Sequence, residues 1–162
     1  MARQTWDEHF LGLCLKIAER SKDKSTQVGC VVVGPDREVR TTGYNGMPRG
    51  VNDDIEQRQE RPIKYFFFEH AERNAIFNAA RVGTALKGCT LYVTSIPPLP
   101  ICADCARAII QAGIVEVIVG TLDAPERWKD SVAAGKTMLE EAEVRVRLVK
   151  LPSNGDSQCQ KK

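Results

Sequence analysis

The sequence predicts an α/β protein, a three-layer α/β/α sandwich on a mixed central sheet of about five strands. Two observations predict it: short β-branched runs alternate with segments of helical periodicity, and the segments follow the order αββαβαβαβ. A chain of 162 residues is long enough for one domain with its own core. We therefore expect one domain over residues 1–151 and a polar, disordered tail at 152–162.

The first predicted helix runs from about Trp6 to Ser21. Thr5 and Glu8 have the spacing of a capping box, and apolar residues then recur on one helical face. Two β-branched runs follow at residues 28–33 and 39–44. The Gly-Pro-Asp between them indicates a turn, so the two runs predict a hairpin.

A long loop is predicted at residues 45–65, which hold glycines, prolines and mixed charges. Loops of this length in compact domains are usually functional or disordered. The second helix is expected from about His70 to Arg81, closed by Gly83. A short strand follows at residues 90–94.

The remaining segments complete the alternation. A third helix is predicted from near Cys102 to Gly113, and a buried strand at 115–119. Residues 124–143 have helical composition but weak apolar periodicity. Residues 144–151 alternate apolar and charged residues, which predicts an edge strand with one face in water.

Composition excludes several classes of function. A net charge of +2 gives no support for a nucleic-acid or membrane surface. No apolar run approaches the roughly 18–20 residues that a membrane helix requires. The first residues lack the apolar core of a signal peptide. We therefore expect a cytoplasmic protein with neither nucleic acid nor a membrane as its partner.

The most informative motif is His70-Ala71-Glu72, followed by Cys102 and Cys105 in a Cys-x-x-Cys pair. It supplies one imidazole, two thiolates and a carboxylate that need not be a ligand. Three protein ligands leave Zn²⁺ an open position for water, as in catalytic rather than structural sites. A His-x-Glu followed by Cys-x-x-Cys is typical of zinc-dependent nucleobase deaminases, in which the glutamate moves protons. We therefore predict a hydrolytic deaminase with Glu72 as the proton shuttle.

Helix geometry sets a condition on this site. Cys102 and Cys105 are three apart, so they share a face at the start of a helix. His70 and Glu72 are two apart, roughly 200° around a regular helix. They can converge on one metal only if His70 stands where the helix begins.

Other interpretations of these residues are weaker. A structural zinc site needs a fourth Cys or His. His9 is expected on the first helix as a surface residue, and Cys89 could reach the site only by unusual folding, so neither is expected to be that ligand. A thioredoxin-like redox pair leaves the His-Ala-Glu motif without a role. The remaining cysteines are expected as reduced thiols, as usual in the cytosol.

Several further segments extend the motif: Ser21–Asp23, Gln27–Gly29, Gly43–Gly50, His70–Ile76 and Cys102–Ala106. Together they closely resemble the deoxycytidylate (dCMP) deaminase family of the cytidine deaminase-like superfamily. The resemblance covers roughly residues 5–120. It implies conversion of dCMP to dUMP and ammonia, zinc bound by His70, Cys102 and Cys105, and a homo-oligomer.

The resemblance also implies contacts to the substrate. The main-chain N–H of Ala71 would contact the base carbonyl, and Asn45 would hold the sugar or base edge, although Asn45 is also a plausible turn residue. Asn74, one turn after His70, would support the same loop. Candidates for phosphate contact are four cations: Arg49, Lys64, Arg73 and Arg81. Arg81 is also the candidate for an allosteric nucleotide contact.

The sequence departs from the family in one loop beside the site. Family members usually have proline directly before the first cysteine, whereas Ile101 precedes Cys102 here. Residues Pro98–Ile101 resemble an insertion in the loop between strand and helix. Substrate selectivity therefore stays open even where the zinc chemistry is indicated.

Three alternatives remain. The first is a related deaminase that acts on another nucleotide, a nucleoside or a free base, and the altered loop favours that alternative. A tRNA-editing deaminase would expect a basic face, which the charge balance does not support. A non-catalytic, zinc-stabilised nucleotide-binding module would not need Glu72.

Overall fold

The computed structural model describes residues 4–95 and 98–150. The described residues form five helices and five strands, with two short 3₁₀ turns at Glu56–Gln59 and Glu126–Trp128. The helices and strands are, in chain order, α1 Trp6–Ala18, β1 Val28–Val33, β2 Val39–Tyr44, α2 Lys64–Phe67, α3 Ala71–Val82, β3 Thr90–Ser95, α4 Ala103–Gln111, β4 Glu116–Val119, α5 Lys129–Glu141 and β5 Arg145–Leu148.

The strands form one mixed sheet in the order β2-β1-β3-β4-β5. β1 pairs antiparallel with β2, as the predicted hairpin requires, and antiparallel with β3 on its other side. β3, β4 and β5 run parallel. The mixed five-stranded sheet predicted from the sequence is therefore confirmed.

Helices cover both faces of this sheet. α1 packs its buried Phe10, Leu11 and Cys14 on one face, against Val31 of β1 and Tyr92 of β3. α3 and α4 cover the other face, and α5 packs against α4. The side chains of each central strand alternate between the two faces, which gives two apolar layers. The three-layer architecture is confirmed.

The capping box predicted for α1 is present: the Thr5 hydroxyl accepts from the N–H of Glu8, and the Glu8 carboxylate accepts from the N–H of Thr5. The sequence predicts that this helix ends at about Ser21, but it ends at Ala18. Ser21 is instead buried, and its hydroxyl donates to the main-chain oxygen of Asn45 at 2.7 Å. This bond ties the end of the first helix to the loop that follows β2.

Gly43 determines how closely α3 approaches β2. A Cβ atom at this position would lie 2.3 Å from the carbonyl oxygen of Ala71 and 2.4 Å from the nitrogen of Ala75. Nearby, the Thr41 hydroxyl donates to the carbonyl oxygen of Ala75 at 2.9 Å. The first turn of α3 is therefore held directly against the strand.

The loop prediction for residues 45–65 is only partly correct. The segment includes the 3₁₀ turn at Glu56–Gln59 and leads into α2 at Lys64–Phe67. Each has only four residues, which is too short for a periodic apolar pattern to appear in the sequence.

The predicted C-terminal helix and edge strand also differ from the structure. The regular helix α5 begins at Lys129, after the 3₁₀ turn. β5 is an edge strand, but all four of its residues are exposed, including Val146 and Leu148. The expectation of one buried face is wrong because α5 packs chiefly on α4 and leaves β5 largely uncovered.

The predicted domain limit at residue 151 and the predicted tail at 152–162 lie outside the described residues. Within the residues that are described, no helix has the length and apolarity needed to cross a membrane.

Candidate active site

His70, Cys102 and Cys105 come together at the start of two helices. His70 is the N-cap residue of α3, with extended backbone, and Cys102 is the N-cap residue of α4. The Nδ1 atom of His70 lies 3.4 Å from Sγ of Cys102 and 3.3 Å from Sγ of Cys105. The condition set by helix geometry, that His70 stands where its helix begins, is met.

Small residues bring the two helices together. Ala71 and Ala75 of α3 and Cys105 and Ala106 of α4 are buried in one apolar cluster on the same face of the sheet. Because short side chains separate the helices, their N-terminal ends lie side by side. The partial positive charge of each helix start then faces the same space, which favours thiolate over thiol.

The ionisation of these groups fits a metal site. A hydrogen bond from Cys105, together with one from His70, lowers the pKa of the Cys102 thiol to about 4, although burial acts in the opposite direction. Burial works against charge on His70, but its hydrogen bond to Cys102 and the nearby Glu72 raise its pKa to about 9. Both shifts favour the charged forms, a thiolate at Cys102 and an imidazolium at His70.

The side chains of His70, Cys102 and Cys105 provide the kinds of ligand atom that Zn²⁺ binds. One nitrogen and two sulfurs lie within 4.8 Å of one another. Zinc takes imidazole and thiolate ligands, and it releases their protons when it binds. The residues present therefore fit Zn²⁺, with three protein ligands rather than the four of a structural site.

Glu72 lies two residues after His70 and is only 6% exposed. Burial raises the pKa of its carboxyl group above the usual value. A carboxyl group with a raised pKa holds a proton more readily than a free one, which suits it to accept a proton and then pass it on. Glu72 lines the same cavity as His70 and Cys102.

The cavity in front of these residues has a volume of about 670 Å³, within the usual range for small-molecule sites. Its lining includes Val28 and Val93 from the sheet and Leu99 and Pro100 from the loop before α4. The Pro98–Ile101 loop thus borders the cavity through two of its residues, while Ile101 is buried.

An aromatic wall was missed by the sequence analysis. The Trp128 ring stands edge-on to the His70 ring, with centroids 5.7 Å apart, and Tyr65 meets Trp128 at 5.9 Å. Both aromatic residues line the cavity. The sequence Glu-Arg-Trp-Lys could have indicated a role for Trp128 outside the core, because this charged segment has no apolar face that would bury the ring.

A buried ion pair also lines the cavity. Nζ of Lys64 lies 2.6 Å from Oδ1 of Asp23 and 2.6 Å from Oγ of Ser25. The side chains of Lys64 and Asp23 are 9% and 4% exposed. Burial acts to raise the pKa of Asp23, but hydrogen bonds from Lys64 and from the main chain of Ser25 hold it below the usual value. Asp23 is therefore a carboxylate.

Asn45 lines the cavity, and the fold holds its amide firmly. Its Oδ1 accepts from the N–H of Val28 at 2.7 Å. Its Nδ2 donates to Oδ2 of Asp23 and to the main-chain oxygen of Thr26, each at 2.9 Å. Both amide hydrogens are therefore committed, and the second lone pair of Oδ1 is what Asn45 can offer a ligand.

The other predicted contacts divide into two groups. Ala71 lines the cavity as the first residue of α3, where its N–H has no partner within the helix. Asn74 does not line the cavity, but its Nδ2 donates to the main-chain oxygen of Tyr44 at 2.8 Å and so supports the neighbouring loop.

The structure does not bring Arg49 or Arg81 to the cavity. Arg49 is exposed and donates to Oδ1 of Asn78 at 2.7 Å. Arg81 is in the last turn of α3, about 15 Å along the helix axis from its first residue. Lys64 and Arg73, the other two cations considered for phosphate, do line the cavity, together with Arg61 and Arg127.

Comparison with known sequences gives one family over most of the chain. Residues 4–121 match the family described as the cytidine and deoxycytidylate deaminase zinc-binding region. A deoxycytidylate deaminase of Homo sapiens is 42% identical over 118 residues, which cover 70% of this chain and 63% of the human protein. A deoxycytidylate deaminase of Mycobacterium phage D29 is 37% identical over 134 residues, covering 73% of this chain and 96% of the phage protein. The chain thus spans less than two thirds of the length of the human relative.

Among solved structures, the fold is similar to a dCMP deaminase from the cyanophage S-TIM5 in complex with dCMP and dUMP. The TM-score is 0.71 at 25% identity, over 92% of this chain and all of the phage chain. The arrangement of the sheet and helices is therefore shared with a deaminase of known structure.

Proposed function

Because the chain belongs to the cytidine and deoxycytidylate deaminase family, we propose that it hydrolyses dCMP to dUMP and ammonia. One observation carries the proposal: His70, Cys102 and Cys105 converge beside the buried Glu72, at a cavity large enough for a nucleotide. Similarity to deoxycytidylate deaminases over most of the chain supports dCMP as the substrate.

Zinc is the cofactor of this family, and His70, Cys102 and Cys105 would hold it. When bound, it supplies the Lewis acidity that makes water nucleophilic at neutral pH. Glu72 takes a proton from that water and delivers it to the ring nitrogen N3 of cytosine. The water oxygen bonds to C4, and Glu72 then moves the remaining proton from that oxygen to the exocyclic amine. The C4–N bond breaks, ammonia leaves and the C4=O bond of uracil forms.

The cavity offers specific groups to orient the base. The N–H of Ala71 points from the start of α3 and would donate to the base carbonyl. Trp128 and Tyr65 form the aromatic wall against which the pyrimidine ring would pack. Asn45, with only an acceptor to offer, would bind a hydroxyl of the sugar through Oδ1.

Recognition of the phosphate is assigned to cations that line the cavity rather than to Arg49 or Arg81. The ammonium of Lys64 is fixed between Asp23 and Ser25, and a guanidinium nitrogen of Arg61 lies 3.5 Å from the same Ser25 hydroxyl. Because Lys64 is paired with the Asp23 carboxylate and the Ser25 hydroxyl donates to that carboxylate at 2.9 Å, the guanidinium of Arg61 is the group beside this pair with donors to offer a monophosphate.

The experiment is mass spectrometry of a substrate panel incubated with the purified zinc-loaded protein. The panel holds dCMP, CMP, deoxycytidine, cytidine, cytosine, adenosine and guanine. We expect a mass gain of about one dalton on dCMP, as NH₂ becomes OH. Turnover of another member alone would transfer the assignment to that substrate and implicate Leu99 and Pro100. No turnover of any member would overturn the proposal and favour a non-catalytic zinc module.

We also propose a cytoplasmic homo-oligomer. The five cysteines among the described residues are free thiols, which supports a reducing compartment. Exposed apolar side chains such as Phe66 (83% exposed) and Val82 (76% exposed) support contact between subunits. Light scattering coupled to size exclusion tests the assembly, and a mass of one 18.0 kDa chain would overturn it.

A further inference from the structure

The N-terminus of α4 is capped by a different helix. Oγ of Ser131, in α5, accepts a hydrogen bond from the N–H of Ala103 at 3.1 Å. Ala103 is the first residue of α4. The bonded N–H therefore belongs to the peptide unit that directly follows Cys102.

This arrangement compensates for a cap that Cys102 does not supply. The first N–H groups of a helix have no partner within it, and a Ser, Thr, Asp or Asn at the N-cap usually bonds one of them. Cys102 is at that position, but it makes no side-chain hydrogen bond of capping geometry, and its Sγ faces Nδ1 of His70. The hydroxyl of Ser131 satisfies one of the open N–H groups instead.

Gly135 of α5 packs against the same peptide unit, the one between Cys102 and Ala103. It is buried, and a Cβ atom there would lie 3.1 Å from the carbonyl carbon of Cys102 and 3.2 Å from the nitrogen of Ala103. Glycine inside a helix is less favourable than alanine, so its presence needs a packing reason. Ser131 and Gly135 are four apart and share one face of α5, and that face contacts the peptide after Cys102.

We propose that Ser131 and Gly135 are positioning residues for the metal site, acting through the main chain of Cys102. Ser131 fixes the peptide plane by hydrogen bonding, and Gly135 lets α5 approach closely enough for that bond to form. Both lie beyond the family region that ends at residue 121. The inference rests on the metal-binding part of the proposed function, and it does not depend on the identity of the substrate.

The test compares four variants of the full chain: Ser131→Ala, Ser131→Thr, Gly135→Ala and Thr137→Ala. Zn²⁺ affinity is measured by competition with a chromophoric chelator, and ligand geometry from the visible absorption of the Co²⁺-substituted protein. Thr137→Ala is the matched control, because this exposed residue of α5 bonds only within its own helix, to the oxygen of Ala133.

We expect Ser131→Ala to lower Zn²⁺ affinity by about tenfold, the lower end of the range for groups that orient metal ligands, and to alter the Co²⁺ spectrum. Ser131→Thr keeps the hydroxyl and should retain both properties. Gly135→Ala should shift the Co²⁺ spectrum even if Ser131→Ala folds poorly, because its Cβ displaces the ligand's own peptide.

Wild-type affinity and spectrum in both Ser131→Ala and Gly135→Ala would overturn the inference, and so would equal losses in Thr137→Ala. A wild-type chain that binds no Zn²⁺ would overturn this inference and the proposed function together. A chain that binds Zn²⁺ without converting dCMP would overturn only the proposed function.

Discussion

His70 and Cys102 occupy the same position in two different helices, the N-cap, and their side chains meet at 3.4 Å. Neither makes a side-chain capping bond. Because an N-cap residue has extended backbone, its side chain can leave the helix face and point along the axis. The side chains of His70 and Cys102 therefore reach one point from neighbouring helices. Because His70 lies before the first turn of α3, it can also approach Glu72, although residues two apart do not share a face of a regular helix.

Replacing Glu72 by glutamine should separate metal binding from turnover. The amide keeps the size of the side chain but cannot move a proton, so we expect kcat to fall by about 10²–10⁴-fold or more. Zinc content, measured by atomic emission, should remain that of the wild type. Glu60→Gln, at an exposed carboxylate, is the control and should keep full activity. Comparable activity in Glu72→Gln would rule out the proton shuttle.

Cys102→Ala should lose both the metal and stability, because metal binding is coupled to folding. We expect loss of stoichiometric zinc and a lower Tm. The melting temperature of the wild type should fall when a chelator is added, whereas that of Cys102→Ala should not respond. Cys89→Ala removes another buried thiol and should keep the chelator response. Normal zinc content in Cys102→Ala would contradict the ligand assignment.

Gly43→Ala should destabilise the fold where α3 meets β2. Its methyl group would overlap main-chain atoms of Ala71 and Ala75, which cannot turn away as a side chain could. Overpacking of this kind costs about 1–3 kcal/mol, measurable by urea unfolding. At Gly46 the nearest neighbour of an added Cβ is 3.8 Å away, so Gly46→Ala should be tolerated. Equal stability of the two variants would show that α3 can shift freely.

Trp128→Ala should weaken substrate binding. Loss of an aromatic surface against a base costs about 1–3 kcal/mol, so we expect KM for dCMP to rise about tenfold or more. Trp128→Phe keeps an aromatic wall and should be affected less. Trp6→Phe, which lies near Phe10 on α1, serves as the control. An unchanged KM in Trp128→Ala would remove this residue from the substrate site.

Asp7 should make stability depend on acid pH. It accepts hydrogen bonds from Arg147 at 2.8 and 3.2 Å and from the Tyr92 hydroxyl at 3.0 Å. The bond from Arg147, opposed in part by burial, holds the pKa of Asp7 below its usual value. A lowered folded pKa means that the unfolded chain binds more protons in the intervening pH range, so stability falls as pH falls.

The prediction concerns the stability difference between wild type and Asp7→Asn in urea. It should be complete above the unfolded pKa of about 3.9 and should vanish as pH drops through the lower folded pKa. Asp54→Asn, at an exposed carboxylate, should show no such pH-dependent difference. A difference that stayed constant down to the lowest pH would show that the bond contributes no pH dependence.

The chemistry-bearing motifs and the long elements were predictable because each leaves a local signal. The Cys-x-x-Cys spacing, the capping box of Thr5 and the β-branched runs of the hairpin all act within a few residues of the chain. Gly83, predicted to close the second helix, does so with a left-handed backbone. The family resemblance added the assignments of zinc and substrate.

The features that escaped prediction depend on contacts distant in sequence. Trp128 reaches His70 only because α5 folds back over α4, and the pair of Lys64 with Asp23 joins residues 41 positions apart. The exposure of Val146 depends on where α5 packs, which its weak periodicity does not encode. Arg49 and Arg81 are ordinary cations whose distance from the cavity no local pattern reveals.

The shared N-cap position of His70 and Cys102 has a consequence for how the protein matures. At the start of many helices, the side chain of the N-cap residue accepts a hydrogen bond from a main-chain N–H of the first turn, as Thr5 does in α1. In α3 and α4 the N-cap side chains make no such bond and would serve as metal ligands instead, so we expect zinc binding to stabilise the starts of both helices. Zinc added while the chain is being produced should then increase the fraction that folds, beyond its effect on catalysis.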